Sequence, residues 1–160
     1  MNRRITTMAL LGLAVATVLP QVGLAQSDPL IGTWKLNLAK STYSPGPPPR
    51  SLTRISEAVG QGWRVTFEGI DAQGNPTKAV FGPYFNDGKS YPVTGGLDYD
   101  AISYKRVNGS TVETTLTKAG KAVQTGTLVT SADGKTLTIT QTGVSANGQQ
   151  INVVGLYDRQ

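Results

Sequence analysis

From residue 31 onward the chain alternates apolar and polar positions in short runs, and each run is closed by a turn signal. Gly32, Trp34 and Leu36 fall on one side of an extended segment, with Thr33, Lys35 and Asn37 on the other. Trp63, Val65 and Phe67 share a face in the same way, and so do Val112, Thr114 and Leu116. Asn108-Gly109 separates two such runs, which is the strongest short-range hairpin signal; Ala119-Gly120, Asp133-Gly134 and Asn147-Gly148 punctuate the rest. No long helical period occurs after the first 25 residues.

This pattern predicts strands over 31–37, 52–59, 63–68, around 79–81, 89–93, 102–107, 111–118, 122–130, 135–142 and 151–158. Asp71 to Pro76 reads as a turn, and Gly82-Pro83 as the end of the 79–81 strand. Asp87-Gly88 reads as another turn, Gly95-Gly96 as a break and 97–100 as a loop. Lys40 to Arg50 has no periodicity and four prolines. Proline fixes its own φ and cannot donate to a ladder, so 45–50 is expected to be a stiff surface loop. About 8–10 strands in up-and-down order, in so short a chain, predict an all-β fold. The expected form is a single antiparallel β-barrel, because closure removes both sheet edges; a β-sandwich is the alternative. The strands lack the continuous apolar band and aromatic girdles of an outer-membrane barrel.

The first 25 residues follow a different rule. Arg3 and Arg4 precede the apolar run Met8 to Leu19, and Gly23-Leu24-Ala25 supplies small residues where a signal peptidase cuts. The apolar run is shorter than the roughly 20 residues of a membrane span. Residues 1–25 therefore read as a cleaved signal peptide, and 26–160 as the barrel domain of a periplasmic or secreted protein, with no span left after cleavage. Losing Arg3 and Arg4 takes the net charge from +5 to +3, and the remaining basic residues are scattered singly. That distribution speaks against a nucleic-acid partner.

Absences narrow the chemistry further. The chain has no His and no Cys. A Ser-His-Asp or Cys-His nucleophile, a thiol redox centre and the usual zinc sites are excluded, and no metal or other cofactor is expected. An enzyme built from this chain has only carboxylates, Lys and Tyr to work with. The balance leans away from catalysis, and no catalytic residue is assigned.

Gly32-Thr33-Trp34-Lys35-Leu36 resembles the G-x-W opening strand of the calycins, the lipocalins and fatty-acid-binding proteins. Leu156-Tyr157-Asp158-Arg159 resembles the last strand of the latter. Taken with Asp87–Gly95 and Asp133–Thr138, these segments resemble a group of small exported bacterial lipocalin-like proteins of unassigned activity. The resemblance implies a barrel enclosing a small apolar molecule, with a basic residue of the last strand, here Arg159, stacked on Trp34. Fatty-acid-binding proteins also carry a helical lid, which the Pro-rich segment cannot form. Their last strand has an Arg-x-Tyr pair that holds a carboxylate. Aligning on Tyr157 puts Gly155 at the Arg position, so that anchor does not carry over.

The residues expected to line an interior site are Trp63, Val65, Phe67, Phe81, Tyr104, Arg106 and Tyr157. Tyr104 and Arg106 share a face, and an Arg beside a Tyr is an anion anchor in principle. Three readings stay open: a monomeric barrel binding a small apolar or amphipathic ligand, a filled barrel acting as an envelope or interaction module, and a small lyase, isomerase or hydrolase. The last would pair Tyr104 with Glu68 or Asp98. The acidic stretch Asp87 to Asp100 is dense in carboxylates, but turn chemistry explains the same residues.

Overall fold

A computed structural model describes residues 28–94 and 98–160. The expected signal peptide and the Gly95-Gly96 break lie outside the described residues. Eleven strands follow in chain order: β1 (Gly32–Leu36), β2 (Thr42–Ser44), β3 (Ser51–Val59), β4 (Gly62–Ile70), β5 (Pro76–Tyr84), β6 (Asp87–Pro92), β7 (Ala101–Arg106), β8 (Thr111–Lys118), β9 (Lys121–Thr130), β10 (Thr136–Val144) and β11 (Gln150–Arg159). Among the described residues the one helical element is a 3-10 turn at Leu38–Lys40. No helix among them is long and apolar enough to cross a membrane.

The strands form one antiparallel sheet in the order β5-β4-β3-β1-β11-β10-β9-β8-β7-β6, with β2 paired to β11. Neighbours on the path are consecutive in sequence except β3–β1, which skips the short β2, and β1–β11, which closes the meander: Trp34 pairs with Arg159 and Leu36 with Tyr157. β5 and β6 stand at the two ends of the path, leaving a seam in a nearly closed barrel. The architecture is the predicted all-β barrel.

Three details depart from the sequence reading, each for a physical reason. Thr42–Ser44, within the segment expected to be an extended surface connection, adds to β11, with the Tyr43 ring turned inward beside Tyr157. Gly82-Pro83 does not end β5, which runs on to Tyr84 through a register shift. β5 is an edge strand at the seam, where proline's missing donor costs no ladder bond. Asp87 and Gly88 belong to β6 rather than to a turn.

One end of the barrel is sealed. Leu30, Trp34, Val112 and Leu137 are at most 1% exposed. Burying the Trp34 side chain stabilises the fold by roughly 2–3 kcal/mol. Its indole N–H donates to the Leu30 carbonyl at 3.0 Å, and the Arg159 guanidinium stacks 4.0 Å from the ring centre. Arg159 then donates to the carbonyls of Gly134 (2.6 Å), Ile31 (3.0 Å) and Pro29 (2.8 Å). Gly32 is required beneath this clamp: its φ is +139°, and a Cβ there would stand 2.5 Å from an Arg159 nitrogen. The G-x-W spacing thus reserves room for the arginine that stacks on the tryptophan.

Candidate functional site

β3 and β4 supply one wall of the interior. Alternation turns Leu52, Arg54 and Ser56 inward on β3, and Trp63, Val65 and Phe67 inward on β4. Opposite them, Ile102 and Tyr104 of β7, Thr114 and Leu116 of β8, Leu128 of β9 and Ile139 of β10 complete a cavity of about 110 Å³. Phe67 and Phe81, half-buried with ring centres 6.2 Å apart, form one side of it.

Aromatic rings make up a second part of the wall. Tyr104 meets Trp63 edge-on at 4.7 Å, and Tyr84 lies 5.3 Å from Tyr104 and 5.8 Å from Trp63. The contacts of Trp63 continue away from the cavity. Its indole N–H donates to Asn86 at 3.3 Å, Asn86 donates to Asp28 at 3.3 Å, and Asp28 is ion-paired to Arg106. Asp28 also accepts from the Leu30 amide at 3.0 Å. The segment 28–31 is therefore pinned across the barrel end by a chain of polar contacts.

The expected site residues fall into two groups. Val65, Phe67, Phe81 and Tyr104 line the cavity. Trp63 stands behind Tyr104, Arg106 faces Asp28 at the sealed end, and Tyr157 packs in the interior against Tyr43. Tyr104 and Arg106 share the inner face of β7, but the arginine's charge is spent on Asp28.

Sequence alternation places Arg54 in the 52–59 strand and gives it no role. It is 2% exposed and lines the cavity, with its Cζ 5.2 Å from the centre of the Trp63 ring. Among the described residues its side-chain hydrogen-bond partner is the Ser56 hydroxyl, and no carboxylate lies within ion-pairing distance. Burial pulls the guanidinium below the ordinary arginine range, opposed by Tyr104, Tyr157 and the more distant Asp28. An arginine remains charged under these conditions. The interior thus holds a cation whose neighbours are hydroxyls and rings.

Burial moves the tyrosines the other way. Tyr84 is pushed up to about 12, chiefly by desolvation. Tyr104 and Tyr157 are raised further, again by desolvation first, with Arg54 acting in the opposite sense on both. Each stays a neutral hydroxyl near pH 7. The other candidates for acid–base work lie elsewhere: Glu68 pairs with Lys78 at 2.6 Å on the outer face, and Asp98 borders a surface groove beside Pro45 and Ser145. Among the carboxylates of the acidic stretch, Asp87 accepts from the Lys89 amide and the Tyr91 hydroxyl, and Asp100 from the Ala119 amide. The first set lies within β6 and the second ties Asp100 to the β8–β9 turn.

At position 155 a Cβ would stand 3.0 Å from the Tyr157 ring. The Tyr157 ring thus occupies the space beside Gly155, where the resemblance to fatty-acid-binding proteins implies an arginine.

No family model and no curated protein sequence matches the chain. Among solved structures it is similar to the zebrafish ileal bile acid-binding protein, crystallised as a complex with cholic acid. The TM-score is 0.51 and the identity 15%, over 82% of this chain and 99% of that one. At that identity the likeness establishes architecture and nothing about activity: the chain folds as a calycin-type, fatty-acid-binding-protein-like β-barrel.

Proposed function

We propose that the chain is an exported β-barrel that binds a small hydrophobic or amphipathic molecule in its interior. The observation that carries this reading is the partly open interior cavity between β4 and β10, apolar over most of its wall and polar at a few fixed points. The zebrafish protein of similar fold, crystallised with cholic acid, supports it as an analogy. The volume of about 110 Å³ lies well below the roughly 300–1,000 Å³ of drug-sized pockets, so a compact ligand is favoured over a steroid or a long acyl chain.

The test uses Trp63, which backs the cavity, as a reporter. In a Trp34→Phe variant the emission of Trp63 should change saturably when compact apolar probes such as toluene or indole are titrated in. A flat response to every probe counts against interior binding. The filled end around Leu30 and Trp34 favours a second reading, an interaction module that uses its outer surface, and this is what a flat response would leave. Export is tested separately: periplasmic or secreted protein should begin at residue 26 by mass.

A further inference from the structure

A buried cation without a counter-ion is costly, because desolvation of the charge is not offset by a partner. Among the described residues Arg54 is in that state, and the space beside it is the cavity. Trp63 offsets part of the cost through its ring face. Ser56 uses one donor, and a guanidinium has five. The other basic side chain of the inner face, Arg106, is neutralised by Asp28. Among the described residues one charge without a paired carboxylate therefore faces the cavity, and it sits on β3, two strands away from position 155, beside which the Tyr157 ring lies.

We propose that Arg54 anchors the anionic group of the bound molecule, and that this molecule is a compact monocarboxylate with an apolar body about the size of one six-membered ring. The inference rests on the interior-binding reading above and narrows it. A planar carboxylate matches the guanidinium fork and brings the single negative charge the site lacks. A phosphate monoester would bring close to two charges and leave the second uncompensated. The Tyr104 hydroxyl, held protonated by its surroundings, is a second donor on the same wall. Phe67, Phe81 and Ile139 take the apolar body. The size limit follows from the volume: about 110 Å³ is less than the roughly 150 Å³ of a cavity that holds benzene in another protein, so one ring fills the space and any larger body must project through the cavity's open side.

The test compares benzoate, its neutral isostere benzamide, toluene and cholate by calorimetry at pH 7, on wild type, Arg54→Lys and Arg54→Met. Benzoate should bind wild type at least about tenfold more tightly than benzamide, the size expected of hydrogen bonds to a charged group. Arg54→Met should abolish that preference while benzamide and toluene still bind, and Arg54→Lys should keep part of it. If Arg54→Met fails to fold, the benzoate-to-benzamide ratio on wild type decides alone. Equal affinity of the two, or benzoate binding unchanged in Arg54→Met, overturns the anchor. Cholate binding more tightly than benzoate overturns the size limit. Toluene binding without a benzoate preference leaves interior binding standing and this inference fallen; no binding by any probe removes both.

Discussion

The Arg159 guanidinium lies 4.0 Å from the centre of the Trp34 ring and 2.5 Å from where a Cβ on Gly32 would stand. One side chain therefore closes the barrel end through a ring, three carbonyls and a glycine gap. Gly32→Ala should destabilise by about 2–3 kcal/mol, from the collision and from a φ that alanine adopts only under strain. Arg159→Ala alone should cost about 1–2 kcal/mol, as an exposed cation–π contact and its hydrogen bonds are lost. In the double variant the collision disappears, so the two costs should sum to more than the measured loss. Urea melts of the four proteins check this cycle, and strict additivity would show that the clamp and the glycine are independent.

Removing the charge of Arg54 should not weaken the ligand-free fold. Met approximates its length, keeps a contact with the Trp63 ring and carries no charge to desolvate. Arg54→Met is expected to lie between no change and about 3 kcal/mol of added stability. Arg54→Ala leaves a void and should be clearly less stable than Arg54→Met. Thermal melts without ligand separate the two. A methionine variant several degrees below wild type would mean that Arg54 contributes more to holding the barrel together than it costs to bury.

The pH profile should be broad and asymmetric. With no His in the chain, no side chain with an ordinary pKa titrates between pH 5 and 9. Tyr84, Tyr104 and Tyr157 have folded-state values raised above the usual 10 by burial. Their protonated forms are favoured by folding, so stability is fully present below pH 10 and falls as pH rises toward 12. At the acid end, hydrogen bonds hold Asp71, Asp87 and Asp133 below the usual range; the leading contributions come from Asn75, Lys89 and Ser131. Their contribution is present above about pH 4 and disappears as pH falls below it. Urea midpoints from pH 3 to 11, followed with tyrosinate absorbance, should show a plateau and a steep alkaline limb.

Backbone exchange should be slowest in β10 and β11, which pair over nine residues, and fastest at β5 and β6, which each have one free edge. β6 pairs with β7 at only four positions, with a register shift between them. Amides of β6 should open with lower free energies than the global value measured at β10. Uniform protection around the barrel would mean that the seam is closed in solution.

The sequence made the barrel legible because its inner and outer rows differ so clearly in most strands. Trp63, Val65 and Phe67 face Arg64, Thr66 and Glu68 across the pleat, and Asn108-Gly109 marks its hairpin without ambiguity. β3 hid the central feature of the candidate site because its rows do not differ. The inward set of Leu52, Arg54 and Ser56 mixes apolar and polar residues just as Thr53, Ile55, Glu57 and Val59 do on the outside, so alternation assigns no face to Arg54. Its inward direction is set by pairing to Trp34 on one side and Phe67 on the other, and both pairings are tertiary facts. Arg106 shows the converse. Its inner-face position follows from spacing, but its pairing with Asp28, 78 residues away, does not.

The pairing of Trp34 with Arg159 also sets a clock. Roughly 120 residues must be made between the two before β1 can meet its second neighbour, and closing so long a loop has to precede the contacts that reward it. At about 5–20 residues per second, the growing chain spends roughly 6–25 s with its first strand half-paired. Over that interval no complete barrel exists, so the polypeptide can still be threaded through a narrow channel until its final strand is delivered.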